Sequence, residues 1–330
     1  RQRQMCIRDR GAELLMNAEA AFMQGNFSDA QILLEQTYST IASNGQHNIS
    51  LCCDFLAARL SFFQESVTFV KNPEVKRKEF LSLHNMMWLN IFDSTYAYYY
   101  ALIRMPEKIP ALFKDHMLST VSFLSPCRPM MEMIENQVFL SQKMYAKVIG
   151  RSETLLPFCE KMHYELVSLH VQIQTAAAYA MLGKHHDARQ LLQKALGHAM
   201  PDGFLIPFVE NYTYIKDVLG SINSITPEPF TDRILSLGSV YEQHCLRLSS
   251  RNSRPEILNM LNSREAEIAA LITDRLSNRE IAERLFLSEG TVKQYVNQIY
   301  SKLMINGDTR TKRKQLACLL YTSPSPTRHL

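Results

Sequence analysis

A short pattern occurs twice in the chain, as Gly25-Asn26-Phe27-Ser28-Asp29-Ala30 and as Gly183-Lys184-His185-His186-Asp187-Ala188. Each copy follows a stretch whose apolar residues recur at helical intervals, Ala12-Leu15-Met16-Ala20 before the first and Leu166-Leu169-Ile173-Ala176-Ala180 before the second. A repeated helix-turn-helix unit constrains a fold strongly, because one unit cannot bury its apolar face alone and has to stack on its neighbours. Glycine ends the first helix of each unit without a Cβ penalty, and the small Ala188 and Ala195 let the second helix approach closely. Residues 11–250 contain few β-branched alternations, so the expected fold class is all-α.

The second copy is the fuller one: Tyr179 stands four residues before Gly183, Ala188, Leu192 and Ala195 follow at helical intervals, and Pro201 closes the unit. It resembles a tetratricopeptide repeat. That resemblance implies a solenoid whose concave face receives a peptide or a small ligand. Tyr145-Ala146-Lys147-Val148-Ile149-Gly150-Arg151 reads as a degenerate copy, and Leu102-Ile103-Arg104-Met105-Pro106-Glu107 as another. Tyr96, Tyr98, Tyr99 and Tyr100 either line such a face or, as is commoner for aromatic runs at helical spacing, fill the core. His185 and His186 are adjacent and have no third ligand nearby, which makes them turn surface rather than a metal site. Val75-Lys76-Arg77-Lys78, flanked by Glu74 and Glu79, reads as a solvated helix start. No GxxxxGK[ST], GxSxG or HExxH pattern is present, so nothing signals catalysis and the chain is not expected to be an enzyme.

Charge divides the chain. The net charge is +4, yet residues 11–250 hold 19 Lys and Arg against 23 Asp and Glu, while residues 251–317 hold 12 against 8. A basic segment after an acidic body points to a polyanion partner for that segment alone. Seven cysteines, Cys52 and Cys53 adjacent and none in a paired CxxC pattern, suit neither a disulfide framework nor zinc, and imply a reducing cytoplasm. No run of about 20 apolar residues is available to span a membrane.

Pro255 to Leu261 reads as a linker into Asn262-Ser263-Arg264-Glu265, an N-cap with an acid in the first turn. One helix is expected to run to about Asp274, with Ile268, Leu271 and Ile272 inward; a second over Asn278–Leu285, with Ile281, Ala282 and Leu285 inward; and a third, capped by Ser288, over Glu289–Leu303, with Val292, Val296, Ile299 and Leu303 inward. Ser263-Arg264-Glu265, Ser277-Asn278-Arg279-Glu280-Ile281-Ala282, Leu287-Ser288-Glu289-Gly290-Thr291-Val292-Lys293 and Lys302-Leu303 together resemble the LuxR-type DNA-binding domain over about residues 261–317. The resemblance implies a sequence-specific DNA-binding transcription regulator whose third helix lies in the major groove. Lys293, Gln294 and Asn297 would then face base edges, and Arg279, Ser288, Thr291, Tyr295 and Lys302 phosphate oxygens. Arg275 departs from that family, which usually has glycine there; Tyr295 replaces the commoner histidine, and Asn306–Thr311 is longer than the usual link to a fourth helix.

Repeats followed by such a domain resemble the MalT-like regulators, and Met200–Phe208 is similar to their segment after the repeats. Those bacterial proteins carry a nucleotide-binding domain ahead of the helical sensor, so ATP belongs to that domain and no cofactor to residues 11–317. The partners implied are double-stranded DNA, RNA polymerase, an unidentified small-molecule or protein inducer, and a second copy on DNA. The alternative is an interaction scaffold whose helical head does not bind DNA. Cys318–Ser323 can be back-translated to the antisense of Met5–Asp9, and both ends resemble translated sequencing adapters, as does Arg1–Gln4. The expected organisation is therefore an adapter-like segment 1–10, a repeat sensor 11–250, a DNA-binding domain 251–317 and an adapter-like segment 318–330.

Overall fold

Both glycines of the repeated pattern hold the left-handed backbone that ends a helix, Gly25 at φ +79° and Gly183 at φ +75°. Each turn closes with the same two hydrogen bonds: Gly183 N–H donates to Ala180 O (3.0 Å) and Lys184 N–H to Tyr179 O (2.9 Å), as Gly25 and Asn26 do to Phe22 and Ala21. Five residues beyond each glycine, Ala30 and Ala188 are fully buried. The same arrangement recurs with Lys143 (φ +62°) at the turn and Val148 fully buried five residues on. The degenerate copy is therefore set by Lys143 and not by Gly150, which lies inside a helix with open space beside it.

The computed structural model describes residues 2–41, 46–64, 73–82, 84–121, 123, 125–252, 261–308 and 311–316. The chain divides into two compact units, Arg1–Leu246 and Arg247–Leu330. No strand occurs among the described residues. The adapter-like stretch 318–330, Arg1 and residues 255–260 of the expected linker lie outside them.

In the first unit α1 (Gln2–Met23), α2 (Phe27–Ile41), α3 (His47–Leu60), α4 (Pro73–Ser82), α5 (Met86–Leu102), α6 (Ala111–Lys114), α7 (Arg128–Ser141), α8 (Tyr145–Met162), α9 (Glu165–Met181) and α10 (His185–Ala199) pack mostly on the next helix and the next but one. Helices α11 (Ile206–Glu210), α12 (Tyr212–Ile225) and α13 (Pro229–Asn252) follow. Of the α1 positions that recur at helical intervals, Ala12 and Met16 are exposed and Leu15 and Ala20 half-buried, while Gly11, Ala18, Phe22 and Met23 are buried. Packing against α2 and α3 decides which of two apolar stripes faces in. On α9, Leu169, Ile173 and Ala176 are buried, Ala180 is half-buried and Leu166 is exposed. Tyr96 and Tyr98 are core. His185 and His186 are exposed at the start of α10. Lys76 and Arg77 are not simply solvated, since they pair with the buried Asp54 and Asp93.

Helix α11 is buried throughout. Its Glu210 accepts from Arg59 of α3 at 2.7 and 3.2 Å and from Tyr98 of α5 at 2.8 Å, while Leu205 N–H donates to Met23 O at the end of α1 (2.9 Å). The segment thus ties the earliest helices to those after α10. The Arg59 guanidinium also lies 4.8 Å from the Phe22 ring centre, which covers a face that carries no hydrogen bonds. Among the described residues no helix is long and apolar enough to cross a membrane.

The second unit contains α14 (Ser263–Thr273), α15 (Asn278–Leu285) and α16 (Glu289–Lys302), then helical residues 311–316. Its core is built from Ile268, Leu271, Ile272, Ile281, Ala282, Val292, Val296, Ile299 and Leu303 as expected, with Ala269, Tyr300, Ile305 and Leu316 added, while Leu285, also expected inward, is only partly buried against it.

Candidate nucleic-acid interface

Each helix of the second unit starts at a side chain that satisfies its free backbone donors. Asn262 Oδ1 accepts from Glu265 N–H (2.8 Å) while Glu265 Oε2 accepts from Asn262 N–H (2.8 Å). Ser277 and Glu280 form the same reciprocal pair at the start of α15, at 3.3 and 2.7 Å. Sequence reasoning missed this second box, although the Ser-x-x-Glu spacing was there to find it. Ser288 Oγ accepts from Thr291 N–H (3.0 Å) and lies 2.7 Å from Thr291 Oγ1.

Three basic side chains hold these helices to one another. Arg264 of α14 donates to Leu285 O at the end of α15 (2.9 Å). Lys302 at the end of α16 donates to Glu265 Oε2 (2.7 Å). Arg313 donates to Leu276 O (2.9 Å) and Asn278 Oδ1 (3.1 Å), which fixes residues 311–316 against the turn before α15. Asp308 Oδ1 accepts from Thr311 N–H (2.7 Å) at the start of that last helix. Part of the basic surplus is therefore spent inside the unit.

The turn between α14 and α15 keeps a left-handed residue even though Arg275 (φ +66°) occupies it, and the two closing bonds, from Arg275 and Leu276 N–H to Ile272 and Leu271 O, are intact. The departure from glycine changes the residue and not the turn.

With Val292, Val296 and Ile299 turned into the core, Lys293, Gln294 and Asn297 are left exposed on the opposite face of α16. Lys293 has no ion pair among the described residues. Arg279 is exposed at the start of α15 and pairs with Glu283 at 3.2 Å; both side chains are largely in solvent, so the pair holds Arg279 weakly. Ser288 is exposed and Thr291 half-buried at the start of α16. Tyr295 is half-buried with its side chain against the core. Lys302 keeps 41% of its side chain in solvent while it binds a Glu265 side chain only 2% exposed. Burial is the largest influence on the Glu265 carboxyl and pushes it up. The Lys302 hydrogen bond, the Asn262 N–H and the Lys302 charge together outweigh it and hold the group below its ordinary value.

A three-helix unit with a capped third helix, an apolar inner stripe and a polar outer one is a helix-turn-helix domain. Residues 259–314 match the family described as bacterial regulatory proteins, luxR family. The chain carries a LuxR-family helix-turn-helix domain at these residues. It is 33% identical over 110 residues to the transcriptional regulatory protein LnrK of Bacillus subtilis, covering 33% of this chain and 49% of the relative. It is 45% identical over 53 residues to the transcriptional regulatory protein DegU of Brevibacillus brevis (16% and 22%). It is 32% identical over 80 residues to the DNA-binding transcriptional activator DevR/DosR of Mycobacterium tuberculosis (24% and 36%). The chain thus spans half or less of the length of these curated relatives. No solved structure matches it.

Proposed function

We propose that the protein is a DNA-binding transcription regulator, with its helical-repeat body sensing an inducer or partner and α16 reading DNA in the major groove. The observation that carries this reading is the exposed polar face of α16 within a LuxR-family domain. Lys293 donates to guanine, and Gln294 and Asn297 pair with adenine edges. Ser288, Thr291 and Arg279 take phosphates, helped by the positive end of the α16 dipole, and Tyr295 offers its hydroxyl to the same strand. Lys302, already bound to Glu265, adds charge near the backbone through its remaining donors.

The protein acts in the cytoplasm, by binding and not by a chemical step, with RNA polymerase and a second copy on paired half-sites as partners. A gel shift of the full chain on duplex DNA over a range of salt tests the reading. Binding that weakens linearly in log affinity with log salt supports it. Absence of binding at low salt would leave the head as a protein-interaction module.

A further inference from the structure

Eight non-glycine residues hold a left-handed backbone among the described residues, and six of them are His, Arg or Lys. The two apolar ones are Phe286 (φ +55°) and Met304 (φ +53°), both in the helix-turn-helix unit. A side chain with a Cβ is strained in this region where glycine is not. Burial can repay that strain, but Phe286 is 96% exposed and gains nothing from packing. Its backbone closes α15, with Leu287 N–H donating to Ala282 O at 2.9 Å, a task that glycine or asparagine performs with less strain. The ring therefore lowers the stability of the turn that carries it.

What the ring can reach follows from where the turn leads. Phe286 stands two residues before Ser288, the cap of α16, and two residues span at most about 7 Å. A phosphate against Ser288 would bring its deoxyribose within reach of the ring. The C–H edges of a sugar suit an uncharged aromatic face, and the contact would not depend on which base the sugar carries.

We propose that Phe286 is a DNA-contact residue whose ring packs on the deoxyribose-phosphate strand at the groove edge beside Ser288. The inference rests on the DNA-binding reading above. Met304 supplies an internal comparison: it has the same strained backbone and is 79% exposed, but it follows the other end of α16, about 21 Å along the helix from Ser288.

The test uses the full chain carrying Phe286→Gly, Phe286→Asn or Met304→Gly. Backbone hydrogen exchange across α15 and α16 reads stability, and titration against a mixed-sequence DNA duplex reads affinity. Relief of strain should slow exchange in all three variants. Affinity should fall about three- to tenfold for both Phe286 variants, as expected for losing one partly buried ring, and stay at the wild-type value for Met304→Gly. The dependence of log affinity on log salt should keep its slope, because no charge is removed. Unchanged affinity of the Phe286 variants overturns the proposal, as does faster exchange, which would make the ring structural. Wild-type DNA affinity combined with lost binding to purified RNA polymerase would assign the ring to a protein contact and also overturn it. If the wild-type chain binds no duplex, the DNA-binding reading itself fails and takes this inference with it.

Discussion

Lys302 and Asn262 share one acceptor, the Oε2 atom of Glu265, at 2.7 and 2.8 Å. A single buried carboxylate thus caps the first helix of the head and anchors the end of the third. Lys302→Ala should weaken binding to all DNA and should also destabilise the head by about 1–3 kcal/mol, because a buried carboxylate keeps the Asn262 N–H but loses its second donor and the charge that offsets its burial. The pH dependence separates the two effects. The folded-state pKa of Glu265 is depressed, so its contribution is present above the unfolded value and is lost as pH falls through the folded one. Wild-type stability should therefore rise with pH across the acidic range, and Lys302→Ala should flatten the part of that rise that Glu265 supplies, while Glu280, held low by its hydrogen bonds with Ser277, keeps its own. An unchanged acid-unfolding profile would make Lys302 a DNA contact with no structural part.

Lys293 should behave differently, since it is exposed and has no ion pair among the described residues. Lys293→Ala is expected to cost about 1–3 kcal/mol at a specific site and to relax specificity there, with little effect on the fold. Competition binding with specific and random duplexes measures this. Equal losses on both would remove Lys293 from base reading.

Ala282→Leu should unfold or loosen the head alone. Ala282 is buried in the core of the head, whose α15 packs on both α14 and α16, and overpacking costs about 1–3 kcal/mol. Residues 11–245 expressed by themselves should remain helical and unfold cooperatively. Calorimetry of both proteins tests the pair; a disordered product from 11–245 would show that the body depends on the head.

In the body, Arg59→Met should be strongly destabilising, by about 3–5 kcal/mol, because it strands the Glu210 carboxylate in the interior. Adding Glu210→Leu should recover much of the loss. A double-mutant cycle in denaturant that shows simple additivity would mean that the two residues do not act as a pair.

Two glycines should respond to alanine for different reasons. Gly183→Ala meets open space and costs only the left-handed backbone, about 1 kcal/mol. Gly238→Ala would drive a Cβ into the Tyr212 ring, so either α12 shifts or the helix pair separates. The larger fall in unfolding midpoint should belong to Gly238→Ala.

The head was legible because its signals are local. Asn262 and Ser288 announce helix starts, and the 4-3-4 spacing of Val292, Val296, Ile299 and Leu303 fixes which face is buried. The body was less so. Two apolar stripes compete on α1, and only the positions of α2 and α3 choose between them. Lys143 and His163 do glycine's work in their turns, so a search for glycine passes over them. The pairs Glu265 with Lys302 and Arg59 with Glu210 join residues far apart in sequence, and no periodicity connects them.

That last separation bears on how the body can fold. In an open stack of hairpins each unit needs only its neighbours, and loss of an end repeat trims the rest without undoing it. Here Arg59 and Glu210 are 151 positions apart and bond in the interior. A chain that zips hairpin by hairpin from α1 gives Arg59 only the longer pair with Glu19 of α1 (3.5 Å), and its two hydrogen bonds to Glu210 wait until α11 arrives. The first and last parts of the body consequently share one transition, and the contact that joins them carries the loop-closure entropy of everything between.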